Sequence, residues 1–133
     1  MKINIDTNIL IYSKDKNSKY YNNAISILKE YEDNIVITSK NISEFIAVSS
    51  KNNIEYKKIL TGIELMINKF EILYPNDNSL KIFYELLEKY KPKGNRVYDI
   101  EIVSIMLSNG INTISTINKS DFENISEINI ISI

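Results

Sequence analysis

Short apolar runs alternate with amphipathic segments along the whole chain. The short runs are bounded by turn residues and predict buried strands, whereas apolar positions spaced three and four residues apart predict helices. The predicted strands are 2–5, 35–38, 70–74, 112–116 and 128–133. The predicted helices are 18–31, 41–51, 55–69, 79–90 and 99–108, with a short helical turn at 120–124.

Because helical segments separate the strands, the sequence predicts a single α/β domain over residues 1–133. A mostly parallel central sheet of about five strands should be flanked by helices. The last strand fits either a parallel or an edge position. In open sheets of this kind, sites form beyond the carboxyl ends of the strands. Polar residues that directly follow a strand are therefore the first candidates for function.

The composition limits the chemistry of any such site. The chain contains no Cys and no His, which excludes thiolate and imidazole as ligands or bases. The net charge is -1, so a nucleic-acid substrate would require local basic patches. The amino-terminal segment lacks the features of a signal peptide, and no apolar run approaches the roughly 20 residues that span a bilayer. We therefore expect a cytoplasmic protein without membrane attachment.

The position of Asp6 fits a structural and a functional role equally well, whereas that of Asp99 favours a functional one. Asp6 directly follows the first strand, where the structural alternative is an Asx turn leading into a helix capped by Thr7 or Asn8. Asp99 opens a helix with apolar residues at 102, 103, 106 and 107, which places its carboxylate on the buried face. A first-turn acid favours the helix dipole, but the dipole does not require the buried side.

Glu44 and Asp121 are more ambiguous when each is taken alone. Glu44 lies three residues after Asn41, the predicted N-cap, and would be its partner in a capping box. Asp121 follows Ser120 in the loop after the fourth strand, where an aspartate in a first helical turn is ordinary. Both residues therefore have a structural interpretation that competes with the functional one.

The joint placement of the four carboxylates is more informative than any one of them. In a parallel sheet, the segments that carry them can converge at one edge. Like charges in one cleft raise each other's pKa, and a divalent cation that takes oxygen ligands, such as Mg²⁺ or Mn²⁺, relieves this repulsion. Such a site suits phosphodiester hydrolysis, because the ion polarises the phosphoryl group and activates water.

Four segments resemble the motifs of the PIN-domain family. Residues 3–10, INIDTNIL, resemble its opening strand and Asp-Thr-Asn motif. Residues 43–45, SEF, and 97–100, VYDI, resemble its second and third acidic motifs. Residues 110–122, GINTISTINKSDF, resemble its closing segment. The motifs occur in order over nearly the whole chain, and together they resemble the VapC-type toxin of bacterial toxin–antitoxin pairs.

The resemblance implies a metal-dependent endoribonuclease that binds one or two Mg²⁺ or Mn²⁺ ions. It implies an acidic cluster of Asp6, Glu44, Asp99 and Asp121. We expect Asp6, Asp99 and Asp121 to hold the metal and Glu44 to orient or deprotonate the attacking water. Polar support would come from Thr7, Asn8, Thr116 and Asn118. The resemblance also implies RNA as substrate, a homodimer and a VapB-like antitoxin that blocks the site.

Two departures from the family pattern concern the surroundings of the acids. Ile100, Glu101 and Ile102 follow Asp99 where small residues are common, and Ser104 supplies the first small side chain. Ile117 occupies a position where a basic residue is common. Glu101 is accordingly a candidate for an additional, peripheral acid.

Basic and aromatic residues near the acids are candidates for contact with RNA. The first candidates, just before Asp99, are Lys91, Lys93 and Arg96. A solvated basic loop is the equally simple alternative for them. A second basic strip after Asp6 contains Lys14, Lys16 and Lys19. Tyr98 is a candidate for stacking on a base.

Two other functions compete with the nuclease. One is a PIN-fold interaction domain that has lost catalysis, although all four acids are present. The other is a different carboxylate-based phosphoryl-transfer domain, which would require a Lys and Thr arrangement that does not follow the strands here. Binding of Mn²⁺ by the wild type and by Asp99→Asn discriminates between a metal-dependent enzyme and the interaction domain.

Overall fold

The computed structural model describes residues 1–132, so Ile133 of the predicted last strand lies outside the described residues. Five strands form one sheet in the order β3-β2-β1-β4-β5, and all neighbouring pairs are parallel. They are β1 (Ile3–Ile5), β2 (Ile35–Thr38), β3 (Glu71–Leu73), β4 (Thr113–Thr116) and β5 (Asn129–Ser132). The predicted fold class is confirmed, and β5 is both parallel and at an edge.

Helices connect the strands and cover the sheet. They are α1 (Thr7–Tyr12), α2 (Tyr21–Glu30), α3 (Ser39–Lys51), α4 (Tyr56–Lys69), α5 (Asp77–Tyr90) and α6 (Arg96–Ser108). Short 3-10 turns occupy Glu32–Asn34 and Lys119–Asp121. Within residues 1–132, no helix is both long enough and apolar enough to cross a bilayer.

The beginning of α3 differs from the prediction. Thr38, not Asn41, is the N-cap, because Thr38 ends β2 in an extended conformation and its hydroxyl accepts the amide of Asn41 at 3.0 Å. Asn41 completes the capping box, since its side-chain oxygen accepts the amide of Thr38 at 2.9 Å. The prediction that Glu44 is a capping partner was therefore wrong. Glu44 lies about one turn further along α3 and takes no part in the capping box.

Two further helices, α1 and α6, begin at other residues than predicted. Asp6, not Thr7 or Asn8, is the N-cap of α1. The helix predicted to begin at residue 99 begins at Arg96, because the chain has already reversed direction through the left-handed conformations of Lys91 and Gly94. Asp99 therefore lies inside the first turn of α6.

Two apolar clusters pack on the two faces of the sheet, since successive strand residues point to opposite faces. One cluster contains Val36 and Ile114 and is covered mainly by α5 and α6. The other contains Ile5 and Ile37 and lies under α1 to α4. Burial on both faces explains why the strands are continuous apolar runs in the sequence.

The strand register sets three polar residues side by side at the carboxyl edge of the sheet. Asp6 follows β1, and the pairing of β1 with β2 and β4 places it level with Thr38 and Thr116. The Asp6 amide extends the ladder by donating to the Ser115 carbonyl at 2.9 Å. The chain order reverses here, with β2 on one side of β1 and β4 on the other. Ligand sites in doubly wound sheets form at such positions.

Candidate functional site

Asp6 is a buried carboxylate at the centre of this edge, with 7% of its surface exposed. Its side chain makes no capping hydrogen bond to α1, and Oδ2 accepts the Thr116 hydroxyl at 2.9 Å. Burial raises the pKa of Asp6 to about 6, against the opposing effect of the Thr116 hydrogen bond. The negative charges of Glu44 and Asp121 contribute to this rise. Asp6 therefore serves the site rather than the helix terminus.

A chain of buried hydrogen bonds positions Glu44. The Thr38 hydroxyl donates to Oδ1 of Asn41 at 2.9 Å, and Nδ2 of Asn41 donates to the Thr7 hydroxyl at 2.9 Å. The Thr7 hydroxyl donates in turn to Oε1 of Glu44 at 3.1 Å. Because each partner is fixed by the next, the orientation of the Glu44 carboxylate is set from the end of β2. Burial raises the pKa of Glu44, while the Thr7 hydrogen bond and the positive charge of Lys40 oppose this effect.

Asp99 approaches the same edge from the first turn of α6. Its helical neighbours Ile102, Val103 and Met106 are fully buried, which confirms that Asp99 lies on the inward side of the helix. The carboxylate itself remains half-buried.

The pKa of Asp99 shows that the acids influence one another. Burial and, after it, the negative charges of Asp6, Asp121 and Glu44 together raise the pKa of Asp99 to about 7. Arg96 opposes it. Four carboxylates from four segments are thus electrostatically coupled at one edge of the sheet, as the sequence predicted.

Asp121 and the predicted basic residues border a common cavity. Asp121 ends a 3-10 turn, and Nη2 of Arg96 donates to its backbone carbonyl at 3.3 Å. The cavity has a volume of about 340 Å³. It is lined by Tyr90, Lys91, Pro92, Lys93, Arg96, Asp99, Ile100, Asp121, Asn124 and Ile125. The predicted basic group at 91, 93 and 96 therefore faces two of the four acids.

The predicted supporting residues divide into two groups. Thr7 and Thr116 each donate a hydrogen bond to an acid of the site. Asn118 contributes through its backbone amide, which donates to the Thr116 hydroxyl at 2.9 Å. The Asn8 and Asn118 side chains make no hydrogen bond to another residue in 1–132.

The second basic strip lies elsewhere. Lys14 borders a groove formed with Ile11 and Phe45, away from the cavity beside Asp99. Lys16 is exposed, and Lys19 lies over the ring of Tyr20. The strip following Asp6 in sequence therefore does not join the acidic cluster.

The four carboxylates are not arranged to coordinate a metal ion with protein oxygens alone. Within the described residues, no three His, Cys, Asp or Glu side chains stand in an arrangement that suits a metal ion. Mg²⁺ typically keeps several waters and takes only one or two carboxylates directly. The donor set therefore fits a hydrated ion held partly through water better than one enclosed by protein oxygens.

The comparison with known families decides the classification, because the family model of the PIN domain matches residues 3–128. The chain belongs to the PIN-domain family. Among curated proteins, none matches the sequence.

Solved structures of VapBC and VapC proteins have the same fold over most or all of the chain. VapBC2 from Rickettsia felis has a TM-score of 0.75 at 23% identity and covers 100% of this chain and 99% of its own. VapBC from Salmonella typhimurium has a TM-score of 0.75 at 24% identity, covering 99% and 98%. VapC20 from Mycobacterium tuberculosis, a Sarcin-Ricin loop cleaving toxin, has a TM-score of 0.72 at 10% identity, covering 85% and 87%. The resemblance to VapC-type PIN domains is thereby confirmed.

The departures from the PIN pattern have identifiable positions. Ser104 is buried in α6 and its hydroxyl donates to the Ile100 carbonyl at 2.8 Å. Glu101 pairs with Lys40 at 3.5 Å and is thus a peripheral acid, linked to the cluster through a cation. Ile117 packs against the apolar cluster under α1 to α4.

Three residues near the site were missed from the sequence. Thr38 and Asn41 hold Thr7 and Glu44, and Lys40 lies beside Glu44. A Thr-x-x-Asn spacing at the end of a predicted strand was the available signal for the first two, since a capping pair has this separation. Lys40 carries no such signal, because its neighbours on α6 are distant in sequence.

Proposed function

We propose that this PIN-domain protein is a Mg²⁺- or Mn²⁺-dependent endoribonuclease and the toxin of a type II toxin–antitoxin pair. The observation that carries the proposal is the convergence of Asp6, Glu44, Asp99 and Asp121: burial and the charges of the other acids raise the pKa values of Asp6 and Asp99, and burial raises that of Glu44. Perturbed, coupled acids in a cleft are characteristic of functional sites. Their repulsion is what a bound divalent cation would relieve.

Asp6, Asp99 and Asp121 would hold the metal, directly or through water, since carboxylate oxygens are the ligands that Mg²⁺ and Mn²⁺ prefer. A bound ion would polarise the phosphoryl group and increase the acidity of water. Thr116 fixes the Asp6 carboxylate by its hydrogen bond, so one ligand is preorganised. The other two acids come from α6 and from the turn after β4.

Glu44 is the proposed general base. Its raised pKa brings it closer to neutrality, where a base is most effective, and the Thr7 hydroxyl holds one carboxylate oxygen. Glu44 would accept a proton from the attacking water while a bond forms between the water oxygen and phosphorus. The bond from phosphorus to the 3′-oxygen then breaks and that oxygen takes a proton from solvent water, leaving a 3′-hydroxyl and a 5′-phosphate. This choice of product ends follows from the family resemblance.

The cavity beside Asp99 is the proposed path of the RNA backbone. Lys91, Lys93 and Arg96 line it and would contact phosphates, which offsets the acidic cluster locally although the net charge is -1. Removal of these charges should weaken binding and reduce its dependence on salt.

The partners of the solved relatives support the toxin part of the proposal. The structures from Rickettsia felis and Salmonella typhimurium are VapBC proteins bound to DNA. By analogy, we propose a VapB-like antitoxin and a homodimer for this chain. Copurification with the product of an adjacent small open reading frame, and mass determination by light scattering, test these two points separately.

The central experiment is cleavage of end-labelled structured and unstructured RNAs in Mg²⁺, Mn²⁺ or EDTA. Asp6→Ala and Asp99→Asn should both lose cleavage, whereas Asp33→Asn should retain it. Asp33 is a suitable control because it is exposed and lies before β2, at the opposite edge of the sheet. Binding of Mn²⁺ should weaken in Asp99→Asn.

Three outcomes would each contradict a part of the proposal. Absence of both cleavage and Mn²⁺ binding in the wild type would support the inactive interaction domain. Full, EDTA-sensitive activity of Asp99→Asn would remove that residue from the metal site. A 2′,3′-cyclic phosphate in the products, detected by mass spectrometry, would contradict attack by water.

A further inference from the structure

A cation and an aromatic ring lie together on the side of the acidic cluster that the proposed RNA path leaves unused. Nζ of Lys40 lies 4.2 Å from the centre of the Tyr98 ring and 3.5 Å from Oε1 of Glu101. Lys40 belongs to the first turn of α3, one turn before Glu44, and Tyr98 directly precedes Asp99. The pair therefore borders both the proposed base and a proposed metal ligand.

The position of Lys40 is not explained by stability. A cation in the first turn of a helix opposes the helix dipole. Its partly exposed ion pair with Glu101 has side-chain exposures of 24% and 35%, and ion pairs of this kind contribute little. Tyr98 is 42% exposed, and no hydrogen bond links its hydroxyl to another residue within 1–132.

Helix geometry places Asp99 between Arg96 and Tyr98 on the surface of α6. At about 100° per residue, Arg96 lies about 60° from Asp99 on one side and Tyr98 about 100° away on the other. Arg96 faces the 340 Å³ cavity, and Tyr98 reaches Lys40 on α3. Asp99 is thus flanked by Arg96 and by the Lys40–Tyr98 pair. An RNA strand that crosses the acidic cluster would contact both.

We propose that Lys40 and Tyr98 form a subsite for one unpaired nucleotide of the RNA, next to the bond that is cut. The base stacks on the face of the Tyr98 ring that Lys40 does not cover, and the Lys40 ammonium contacts the phosphate of the same nucleotide. A base can reach a protein ring only when it is free of its own duplex stack, so the subsite selects single-stranded segments. This inference rests on the proposed ribonuclease function and specifies the structure of its substrate.

Glu101 has a defined part in this subsite. In the free protein it holds the Lys40 ammonium over the ring, so the cation is in place before RNA arrives. A phosphate of the RNA would then compete only with the partly exposed Glu101 carboxylate for the Lys40 ammonium.

The test measures both binding and cleavage on a labelled single-stranded RNA and on the same sequence in a duplex. Binding is measured in the Asp99→Asn background, where we expect no cleavage, by fluorescence anisotropy. Tyr98→Leu should weaken single-strand binding about 5- to 150-fold, the range expected for loss of one base stack. It should leave duplex binding unchanged, and Tyr98→Phe should keep the affinity because it keeps the ring.

Lys40→Gln should also weaken single-strand binding and should lower its salt dependence, because one phosphate contact is lost. The matched controls are Tyr56→Leu and Lys57→Gln, two exposed positions on α4. Neither should change binding or cleavage. Thermal unfolding of each variant shows whether the fold is retained.

The outcomes separate this inference from the proposed function. If the wild type cleaves RNA and Tyr98→Leu binds and cleaves the single strand equally well, the subsite is wrong and the nuclease stands. Equal losses on single strand and duplex would also overturn the subsite. If the wild type neither binds nor cleaves any RNA, both proposals fail.

Discussion

Two side-chain groups connect segments that are distant in the sequence: the single carboxylate of one is compensated by a cation, whereas the four carboxylates of the other are not. Glu127, in the segment before β5, accepts hydrogen bonds from Nζ of Lys89 at 2.8 Å and from the hydroxyl of Tyr90, both at the end of α5. Burial acts to raise the pKa of Glu127, but these two hydrogen bonds outweigh it and lower the pKa. The group ties α5 to the segment before β5.

The acidic cluster of Asp6, Glu44, Asp99 and Asp121 lacks such partners. Within residues 1–132, no salt bridge includes Asp6, Glu44, Asp99 or Asp121. Hydroxyls of Thr7 and Thr116 position two of the acids but do not neutralise them. The pKa values of Asp6 and Asp99 rise to about 6 and about 7 as a result of burial and mutual repulsion.

The difference separates a structural role from a functional one. A carboxylate that folding has fully paired lowers the free energy of the folded state. Carboxylates that folding brings together without cations raise it, and they persist where a ligand or substrate supplies the missing charge.

The largest expected effect is on catalysis. Glu44→Gln should lower kcat by about 100- to 10,000-fold, because the amide no longer accepts a proton from water. Glu127→Gln, the same change in the paired group, should leave kcat unchanged. Single-turnover cleavage measured at saturating RNA gives both values. Equal losses in the two variants would show that the distinction between the groups is wrong.

Thr7→Val should have the next largest effect. The substitution removes the hydroxyl that donates to Glu44 and accepts from Asn41, while keeping nearly the same shape. Supporting residues around metal sites typically contribute about 10- to 100-fold to activity. The matched control is Thr61→Val on the exposed surface of α4. Mn²⁺ affinity close to that of the wild type, together with reduced kcat, would place the defect at Glu44.

The sheet and the identity of the acids followed from the sequence because both depend on local patterns. Short apolar runs mark strands that are buried on both faces, and an acid directly after such a run lies at the carboxyl edge. The four acids therefore came to one place as predicted. Their coupling also followed, since like charges in one cleft raise each other's pKa.

The supports of the site did not follow from the sequence, because they depend on contacts between distant segments. The Asn41 side chain caps α3 locally, yet it also donates to Thr7, 34 residues away in the chain. Lys40 meets Tyr98 and Glu101 only after α3 has packed against α6. The assignment of Asn41 as N-cap failed for a related reason, since Thr38 serves both as the last residue of β2 and as the cap.

Stability without divalent cations should fall as pH rises, because of the acidic cluster. Asp99 has a folded pKa of about 7 and an ordinary value of 3.8, so the folded state binds more protons between these limits. The free energy of unfolding therefore decreases as pH rises through this window. Asp99→Asn removes the penalty, so it should raise the melting temperature at pH 8 in EDTA and give no gain near pH 4. A gain of the same size at both pH values would contradict the mutual repulsion.

The smallest expected effect has the opposite sign and concerns the paired group. The pKa of Glu127 is lowered from 4.5, so its contribution to stability is present above that value and is lost as pH falls through the folded pKa. Glu127→Gln should therefore lower the melting temperature slightly at pH 8, and the difference should disappear in acid. The effect stays small because Lys89 and Glu127 are partly solvent-exposed and screened. Measured in one buffer series, Glu127→Gln and Asp99→Asn should shift the melting temperature in opposite directions at pH 8. Shifts in the same direction would mean that the two groups do not differ in charge compensation.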